Sequence, residues 1–419
     1  MGLSFTQLSK KADHPCLMNG AVNLFYPSVF PTPMARFAKR VLSIEPSATV
    51  RISDLITDLK ARGEKILSLA IGEPDFPTPT HIIDAAKKAL DDGFTKYTPA
   101  PGIRELREAI AEKSQKDNRI PAKPENVLVA PTKHTLFMTC MALLDSGDEA
   151  IIPDPGWVSY APMVTLAGAR PVPVRAADME GFVPSADAVS EAITPRTRLL
   201  MINSPSNPAG SVYSRDAIKA LADLVKDHDL ILVSDEIYEK ILYEGEHVSP
   251  ASLDGMFDRT VTVHGFSKTY SMTGWRLGWL VAPSPLFKEI SKVQEHTITC
   301  ATAFAQKAGV AALRGPTTPL QAMVKEFRAR RDLVLKELAT IEGLSTHRPT
   351  GAFYVFPRYD AEIDSATLSE RILKEASVAV TPGSAFGEAG EGHLRISYAA
   401  SRETIAEGLH RIREVFARI

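Results

Sequence analysis

The sequence predicts an α/β fold: a large domain with a mostly parallel, seven-stranded sheet covered by helices, and a smaller α+β domain. From about residue 127 to 283, seven short β-rich runs alternate with amphipathic helical patterns. After residue 300, two long helical patterns enclose three short strand patterns. Strands that are apolar throughout are typical of parallel sheets with helices on both faces, so the first region predicts the large domain.

The seven predicted strands read, in chain order, NVLVA, EAIIP, RPVPV, RLLMIN, LILVSDE, TVTVHGF and LGWLVA. Between two of them, SRDAIKALADLVKDH predicts a helix with Ser214 as its N-cap and Ile218, Leu221, Leu224 and Val225 on one stripe. The last two strands are too close for a helical crossover, which predicts an antiparallel pair. Ligands of such sheets bind beyond the carboxyl ends of the strands.

The C-terminal region predicts the smaller domain. QAMVKEFRARRDLVLKELATI reads as a long amphipathic helix, GAFYVFP, VAVTPG and HLRISYA as strands, and SRETIAEGLHRIREVFARI as a closing helix. We expect residues 46–70 to pack with this second lobe. The predicted organisation is an extended N-terminal segment at 1–33, an N-terminal arm and part of the small domain at 34–72, the large domain at 73–300 and the small C-terminal domain at 301–419.

The charge, the cysteines and the hydropathy of the chain exclude several classes of function. A chain of 419 residues with a net charge of −2 has no electrostatic reason to bind nucleic acid or an anionic membrane surface. Cys16, Cys140 and Cys300 are too widely spaced for a disulfide framework or a metal cluster, which favours a reducing cytoplasm. No apolar run of about 18 residues is present. We therefore expect a cytoplasmic protein without nucleic-acid or membrane partners.

Lys268 stands at the exit of a predicted strand, in HGFSKTYSMTGWRLGW. Burial of a lysine lowers its pKa, and the neutral amine is a nucleophile towards an aldehyde. Ser267 supplies a hydroxyl and Arg276 a permanently charged fork, so the three residues could hold a phosphate beside a reactive amine. The alternative is a surface lysine in a loop, with Arg276 paired to a surface carboxylate.

Polar residues end two other predicted strands. Asp235 closes LILVSDE with Tyr238 three residues later, and Asn207 lies among turn residues in INSPSNPAG. Asp235 could bind a metal, act as a base, pair with a cation or cap a helix, and Asn207 could shape a turn. No histidine partner for a metal is expected near either motif, because His228 and His247 look like helix-end and loop residues, so no metal site is predicted.

Six motifs, in chain order, resemble those of the class I aminotransferases, the aspartate aminotransferase family of fold-type-I pyridoxal-phosphate enzymes. They are GEPDFPTP, YTPAPGIRELREAI, SPSNPAG, SDEIYE, SKTYSMTGWRLG and LRISYA. The resemblance runs from about residue 34 to the end of the chain. It implies pyridoxal 5′-phosphate as the cofactor and a homodimer with shared active sites.

The resemblance also implies roles around the cofactor ring. Lys268 would bond to the cofactor and then move protons, and Asp235 would face the pyridine nitrogen and keep it protonated. Tyr238 and Asn207 would hydrogen-bond the phenolic oxygen, and Trp157 in DPGWVSY would stack on the ring. Asn207 and Trp157 would border the substrate as well.

Other implied roles concern phosphate and substrate. Ser267 and Arg276 would bind the phosphate, and Tyr97 would reach the phosphate of the neighbouring subunit. Arg395 would hold the substrate α-carboxylate with two parallel bonds, and Gly72 would let the backbone approach that carboxylate.

One turn departs from the family pattern. Where relatives have a glycine-containing turn before the helix that caps the phosphate, this chain reads APTKHTLF. The helix start still presents amides to an anion, but Pro131 has no N–H. A phosphate contact at Thr132 or Lys133 is therefore expected with one donor fewer.

The expected reaction is ping-pong transfer of an amino group from aspartate or glutamate to a 2-oxo acid such as 2-oxoglutarate. Lys133 resembles a lysine that holds the distal carboxylate, and EPSATVRISDL resembles a segment that closes over the substrate. Aromatic, branched-chain or prephenate-type substrates remain alternatives, as do β-elimination and decarboxylation on the same fold. A regulator with this fold would need an added DNA-binding domain, for which the N-terminal segment is too short.

Overall fold

A computed structural model describes residues 37–178 and 181–419. The N-terminal segment predicted at residues 1–33 lies outside these residues, as does the start of the predicted arm. Residues 40–419 group together as one unit. Within the part of the chain that is described, no helix combines the length and apolar character needed to cross a membrane.

The helices of the described chain are distributed over its whole length. They are α1 (Lys39–Leu42), α2 (Ala48–Ala61), α3 (Thr80–Asp91), α4 (Arg104–Asn118), α5 (Thr132–Leu143), α6 (Tyr160–Leu166), α7 (Ala186–Ala192), α8 (Arg215–Asp227), α9 (Phe266–Thr269), α10 (Ser284–Glu295), α11 (Ala303–Arg314), α12 (Thr318–Leu338), α13 (Ser365–Ala376) and α14 (Arg402–Phe416).

The strands fall into one large sheet and several small ones. They are β1 (Leu67–Ser68), β2 (Val127–Val129), β3 (Glu149–Asp154), β4 (Arg170–Arg175), β5 (Thr197–Asn203), β6 (Ile231–Asp235), β7 (Thr260–Gly265), β8 (Gly278–Val281), β9 (Leu344–Ser345), β10 (Tyr354–Val355), β11 (Arg358–Tyr359), β12 (Val378–Ala379), β13 (Thr381–Pro382) and β14 (Leu394–Ser397).

The large sheet has the strand order β2-β8-β7-β6-β5-β3-β4. The pairs from β4 through to β7 are parallel, whereas β8 is antiparallel to both β7 and β2. Six strands therefore run in one direction and β8 opposes them. The predicted seven-stranded, mostly parallel sheet is confirmed, including the antiparallel pair at its last two strands.

Helices cover both faces of this sheet because its strands are apolar on both sides. On β5, Leu199 and Met201 pack in one cluster with residues of α5, α6 and α10, whereas Leu200 and Ile202 pack in another with α7 and α8. Ser214 caps α8 by accepting a hydrogen bond from the Ala217 amide at 3.1 Å. The predicted cap and helix are thus confirmed.

The C-terminal elements build small sheets beside the long helix α12. Strands β10, β14 and β13 form one sheet, and β1 pairs in parallel with β12. That pairing brings residues 67–68 to the C-terminal region, where Ile56 and Ile66 pack with Ala379. The predicted packing of residues 46–70 is therefore observed, while the exact domain boundaries stay predictions.

Candidate active site

One cavity of about 450 Å³ lies at the carboxyl ends of the parallel strands β5, β6 and β7. It is lined by eleven of the twelve candidate residues: Gly72, Thr132, Lys133, Trp157, Asn207, Asp235, Tyr238, Ser267, Lys268, Arg276 and Arg395. The twelfth, Tyr97, is not in the lining, and the residue is 89% exposed. Residues spread over more than 300 positions therefore meet at one site within the described chain.

Lys268 enters the cavity from the short helix that follows β7. Its Nζ donates a hydrogen bond to the carbonyl oxygen of Gly72 at 2.6 Å. Burial lowers the pKa of Lys268 to about 8, with Glu73 acting in the opposite direction. A substantial neutral fraction of the amine therefore exists near pH 8, as nucleophilic chemistry requires. Gly72 has no room for a side chain, because a Cβ there would collide with the Tyr354 hydroxyl.

Asp235 is the last residue of β6 and is buried. Its Oδ2 accepts a hydrogen bond from the Tyr160 hydroxyl at 2.8 Å, and its Oδ1 accepts a long one from the Ile237 amide at 3.3 Å. Burial raises the pKa of Asp235 to about 6, against the lowering effect of the Tyr160 bond. A turn follows Asp235 rather than a helix, so the helix-cap alternative does not apply.

Sequence reasoning missed Tyr160. It is fully buried and also packs edge-on against Trp157, with ring centroids 5.4 Å apart. A local signal was present, because Tyr160 follows Trp157 by only three residues, and the turn closed by the Tyr160 N–H on the Trp157 carbonyl oxygen brings the two rings together. Burial and the charge of Asp235 raise the pKa of Tyr160 well above its ordinary value, which keeps its hydroxyl protonated as a donor.

Arg395 lies in β14, in the C-terminal region of the chain, and forms part of the cavity wall as a buried residue. Its guanidinium donates to Asn207 Oδ1 at 3.1 Å, to Thr381 Oγ1 at 3.2 Å and to the carbonyl oxygen of Ala70. It also lies over the Tyr354 ring, 4.7 Å from the ring centroid. Its buried Nε has no hydrogen-bond partner among the described residues. An unpartnered N–H on a fixed cation is suited to receive an anion.

Tyr238 forms the wall next to Arg395. Its hydroxyl exchanges a hydrogen bond with the Tyr354 hydroxyl at 2.8 Å, and both rings are buried. The backbone N–H of Asn207 donates to Asn203 Oδ1 at 2.8 Å, which fixes the loop after β5. The carboxyl-end loops of β5 and β6 are thus held rigidly where they face the cavity.

The start of α5 forms a third side of the cavity. The Thr132 hydroxyl donates to the carbonyl oxygen of His264 at 3.1 Å, which joins the helix start to the exit of β7. Lys133 holds its ammonium 4.9 Å from the Trp157 ring centroid. Partial desolvation, followed by the charge of Arg276, lowers the pKa of Lys133, although the side chain as a whole is exposed.

Arg276 has a left-handed backbone conformation, with φ of 53°. Such a conformation is unusual for a residue with a side chain and is found at functional sites. Its guanidinium donates to the Thr273 carbonyl oxygen at 2.9 Å, while Ser267 is buried nearby in the lining. Cationic side chains, a hydroxyl and a helix start therefore share one part of the cavity.

The N-terminal end of α2 covers the cavity. Thr49, Val50, Ile52, Ser53 and Asp54 contribute to its lining. None of them was predicted by residue number, but all five lie within the EPSATVRISDL segment expected near the substrate. This segment is therefore placed where it can contact a bound molecule.

A second group of ionisable residues lies behind Asp235. Ligand-type atoms of Glu236, Glu239 and His264 come within 4.8 Å of one another, and His247 Nε2 lies 2.8 Å from Glu236 Oε2. The expectation that no histidine lies near the Asp235 motif is therefore wrong. His264 belongs to the next strand and His247 to a loop that folds back, so their proximity depends on tertiary structure.

The chain is similar to known proteins over most of its length. Residues 64–412 match the family model described as aminotransferase class I and II. The aspartate aminotransferase of Pyrococcus abyssi is 46% identical over 378 residues, which cover 89% of this chain and 96% of the relative. Aromatic-amino-acid aminotransferase 2 of Thermococcus litoralis is 45% identical, with 90% of this chain and 97% of the relative covered.

Solved structures show the same similarity. The aspartate aminotransferase from Thermus thermophilus with maleate superposes with a TM-score of 0.87 at 43% sequence identity. The match covers 91% of this chain and 100% of that structure.

Proposed function

This chain belongs to the class I and II aminotransferases, and from that premise we propose that it binds pyridoxal 5′-phosphate and transfers amino groups by a ping-pong mechanism. The proposed substrates are aspartate or glutamate and a 2-oxo acid such as 2-oxoglutarate. The observation that carries this proposal is the convergence on one cavity of Asp235 from the end of β6, Lys268 from the helix after β7 and Arg395 from β14.

The lining residues fit the chemistry of this cofactor. Pyridoxal phosphate, when bound, supplies an aldehyde carbon that accepts an amino group and a cationic ring that withdraws electrons from the substrate Cα. Asp235 would pair with the ring nitrogen, since the Tyr160 bond favours its ionised form. The neutral amine of Lys268 would hold the aldehyde carbon by condensing with it, with loss of water. Once the substrate amine had displaced it, the freed amine would move a proton between the substrate Cα and the aldehyde carbon.

The phosphate would lie where Ser267, Arg276 and the start of α5 meet. The amides of a helix start favour an anion, and Arg276 provides a permanent charge. Pro131 removes one amide donor, so we assign more of the phosphate binding to Ser267 and Arg276. The exposed Tyr97 would contribute to the phosphate site of a second copy, which makes the proposed assembly a homodimer. The widely spaced cysteines support a cytoplasmic location.

Arg395 would bind the α-carboxylate shared by all amino-acid substrates. Its buried Nε lacks a partner in the described chain, and Asn207 and Thr381 fix the orientation of the guanidinium. A carboxylate satisfies such a fork with two parallel bonds, whereas water cannot supply a countercharge. Gly72 and Trp157 would border the same substrate.

The side-chain preference rests on Lys133 at the cavity wall. Its ammonium is the charged group at the start of α5 that lines the cavity and would pair with a distal carboxylate of the substrate. A relative named for aspartate and a solved structure with maleate, a dicarboxylate, support this preference. The alternative is an aromatic donor, supported by the aromatic-amino-acid relative and by Trp157 beside Lys133.

The two candidates are tested by a panel of amino donors with 2-oxoglutarate and a Lys133→Leu variant. Loss of one charge-assisted hydrogen bond should lower kcat/KM for aspartate by about 10- to 100-fold and change phenylalanine much less. Lys292→Leu, an exposed helical lysine, is the matched control. Preference of the unmodified protein for phenylalanine would favour the aromatic alternative. Failure to develop visible absorbance with pyridoxal phosphate would refute the cofactor assignment.

A further inference from the structure

The loop that follows β6 carries functional candidates on one side and buried charges on the other. Asp235 and Tyr238 line the cavity, whereas the residue after each, Glu236 and Glu239, points into the protein interior. We call the group formed by Lys113, Glu236, Glu239, His247 and His264 the back cluster. None of its members lines the cavity.

Glu236 is fully buried and held by four contacts. Its Oε1 accepts hydrogen bonds from the hydroxyls of Ser234 at 2.9 Å and Ser249 at 2.8 Å. Its Oε2 lies 2.8 Å from His247 Nε2 and 3.4 Å from His264 Nε2. Although burial opposes it, the neighbouring His247 holds the pKa of Glu236 below its usual value. The carboxylate is therefore ionised and cannot rotate without losing several partners.

Glu239 is held in the same way from α4. It forms an ion pair with Lys113 Nζ, accepts from Asn118 Nδ2 at 2.6 Å and lies 3.6 Å from His264 Nδ1. His264 stands between the two glutamates and stacks on Trp279, with ring centroids 5.3 Å apart. Its backbone carbonyl oxygen accepts from Thr132, and Lys268 follows four residues later. The back cluster thus joins α4, the loop after β6 and the exit of β7.

Such a cluster is expensive to bury. Several charges removed from water contribute little net stability, and apolar residues of similar volume often serve as well or better. Apolar residues in these places would not fix the position of the loop after β6 as the ion pairs and hydrogen bonds do. The ammonium of Lys113 already provides the positive charge that Glu239 needs, which argues against a metal ion among these ligand-type atoms.

We propose that Glu236 and Glu239 are positioning residues that hold Asp235 and Tyr238 in the site from behind. His264 and Lys113 act through them, and none of the four touches substrate or cofactor. This inference rests on the proposed assignment of Asp235 and Tyr238 to the cofactor. A displacement of about 1 Å at a reacting group can cost about a hundredfold in rate, so small shifts of this loop matter.

The test uses the full-length chain with Glu239→Gln and Glu149→Gln as a matched pair. Glu149 is also a buried glutamate, 1% exposed, paired with Arg170 and Arg196, but it begins β3 at the opposite end of the sheet. Both variants should lower the thermal unfolding midpoint. Glu239→Gln alone should weaken pyridoxal phosphate binding and lower kcat by about 10- to 100-fold, with KM for the amino donor within about twofold.

A double variant protects the test against misfolding. Lys113→Gln combined with Glu239→Gln removes both charges and keeps amide hydrogen bonding, so it should recover most of the lost cofactor affinity. Equal cofactor affinity and kcat in Glu239→Gln and Glu149→Gln would overturn the inference. So would loss of cofactor affinity on EDTA treatment with recovery on adding Zn²⁺, because the cluster would then be a metal site. If the unmodified chain binds no pyridoxal phosphate, the proposed function fails as well.

Discussion

Replacement of Lys268 by methionine should stabilise the cofactor-free protein while removing its reactive amine. Burial lowers the pKa of Lys268 from 10.5 to about 8, which means that the folded state disfavours the ammonium. A shift of this size corresponds to about 3 kcal/mol at neutral pH. Methionine also loses the hydrogen bond from Nζ to the Gly72 carbonyl oxygen, which reduces the gain by about 1 kcal/mol. Water that enters the open cavity lowers the cost of the ammonium as well. We expect a net gain of about 2 kcal/mol at pH 7.

The pH dependence of this gain has a definite sign. Below pH 8, the lysine is protonated in both folded and unfolded chains, so the full cost of burying the ammonium remains. Between pH 8 and 10.5, the unfolded chain holds a proton that the folded chain has lost, and the unmodified protein gains stability as the pH rises. The difference between the two proteins should shrink by about 2 kcal/mol from pH 7 to pH 9.5.

Guanidinium unfolding of both cofactor-free proteins at the two pH values measures this difference. Lys88→Met is the control, because Lys88 is exposed in an i,i+4 ion pair with Asp92 and its loss should change stability by less than about 0.5 kcal/mol. A Lys268→Met protein that is no more stable at pH 7, or whose advantage is unchanged at pH 9.5, would refute the reasoning from burial. Methionine at this position should also abolish transamination.

Two further substitutions test other walls of the cavity. Tyr160→Phe removes a charge-assisted hydrogen bond that favours ionised Asp235. The pH below which pyridoxal phosphate binding weakens should therefore rise by about one to two units. An absorbance titration in which this pH is unchanged would contradict the role. Arg395→Lys replaces a two-pronged donor with a point charge, so kcat/KM should fall about a hundredfold with cofactor affinity unchanged, as steady-state kinetics and the same titration would show.

Apolar runs were sufficient to predict the large sheet, because six of its seven strands are almost wholly buried by neighbours on both faces, whereas the edge strand β4 is mostly exposed or half-buried. They were less informative in the C-terminal region. GAFYVFP contains a strand of only two residues, β10, and VAVTPG divides into β12 and β13, which pair with β1 and β14 respectively. Pairing partners distant in the chain set these lengths, and composition does not encode them.

Strand ends predicted part of the site. Lys268, Asp235 and Asn207 follow predicted strands, and parallel strands bring their carboxyl ends to one edge of a sheet. Arg395 and Trp157 were identified only through resemblance to a family, since neither has a local pattern that marks it. The contact of Tyr160 with Asp235 joins residues 75 positions apart, and the back cluster joins α4 to the loop after β6 and to β7. Such contacts follow from packing, which no local sequence pattern specifies.

Two ionisable groups of the cavity, Asp235 and Lys268, are disfavoured in their charged forms while the cavity holds no ligand. Burial raises the pKa of Asp235 to about 6 and lowers the pKa of Lys268 to about 8, so the protein opposes both charges. A ligand that carries a cationic ring nitrogen near Asp235 and an aldehyde that takes up the neutral amine of Lys268 would relieve these costs, and we infer that cofactor binding stabilises the folded chain. Because a ligand that binds only the folded state adds stability with concentration, the unfolding midpoint should rise with added pyridoxal phosphate. The same electrostatic cost that weakens the cofactor-free protein would thereby favour a cofactor with a cationic ring nitrogen beside Asp235.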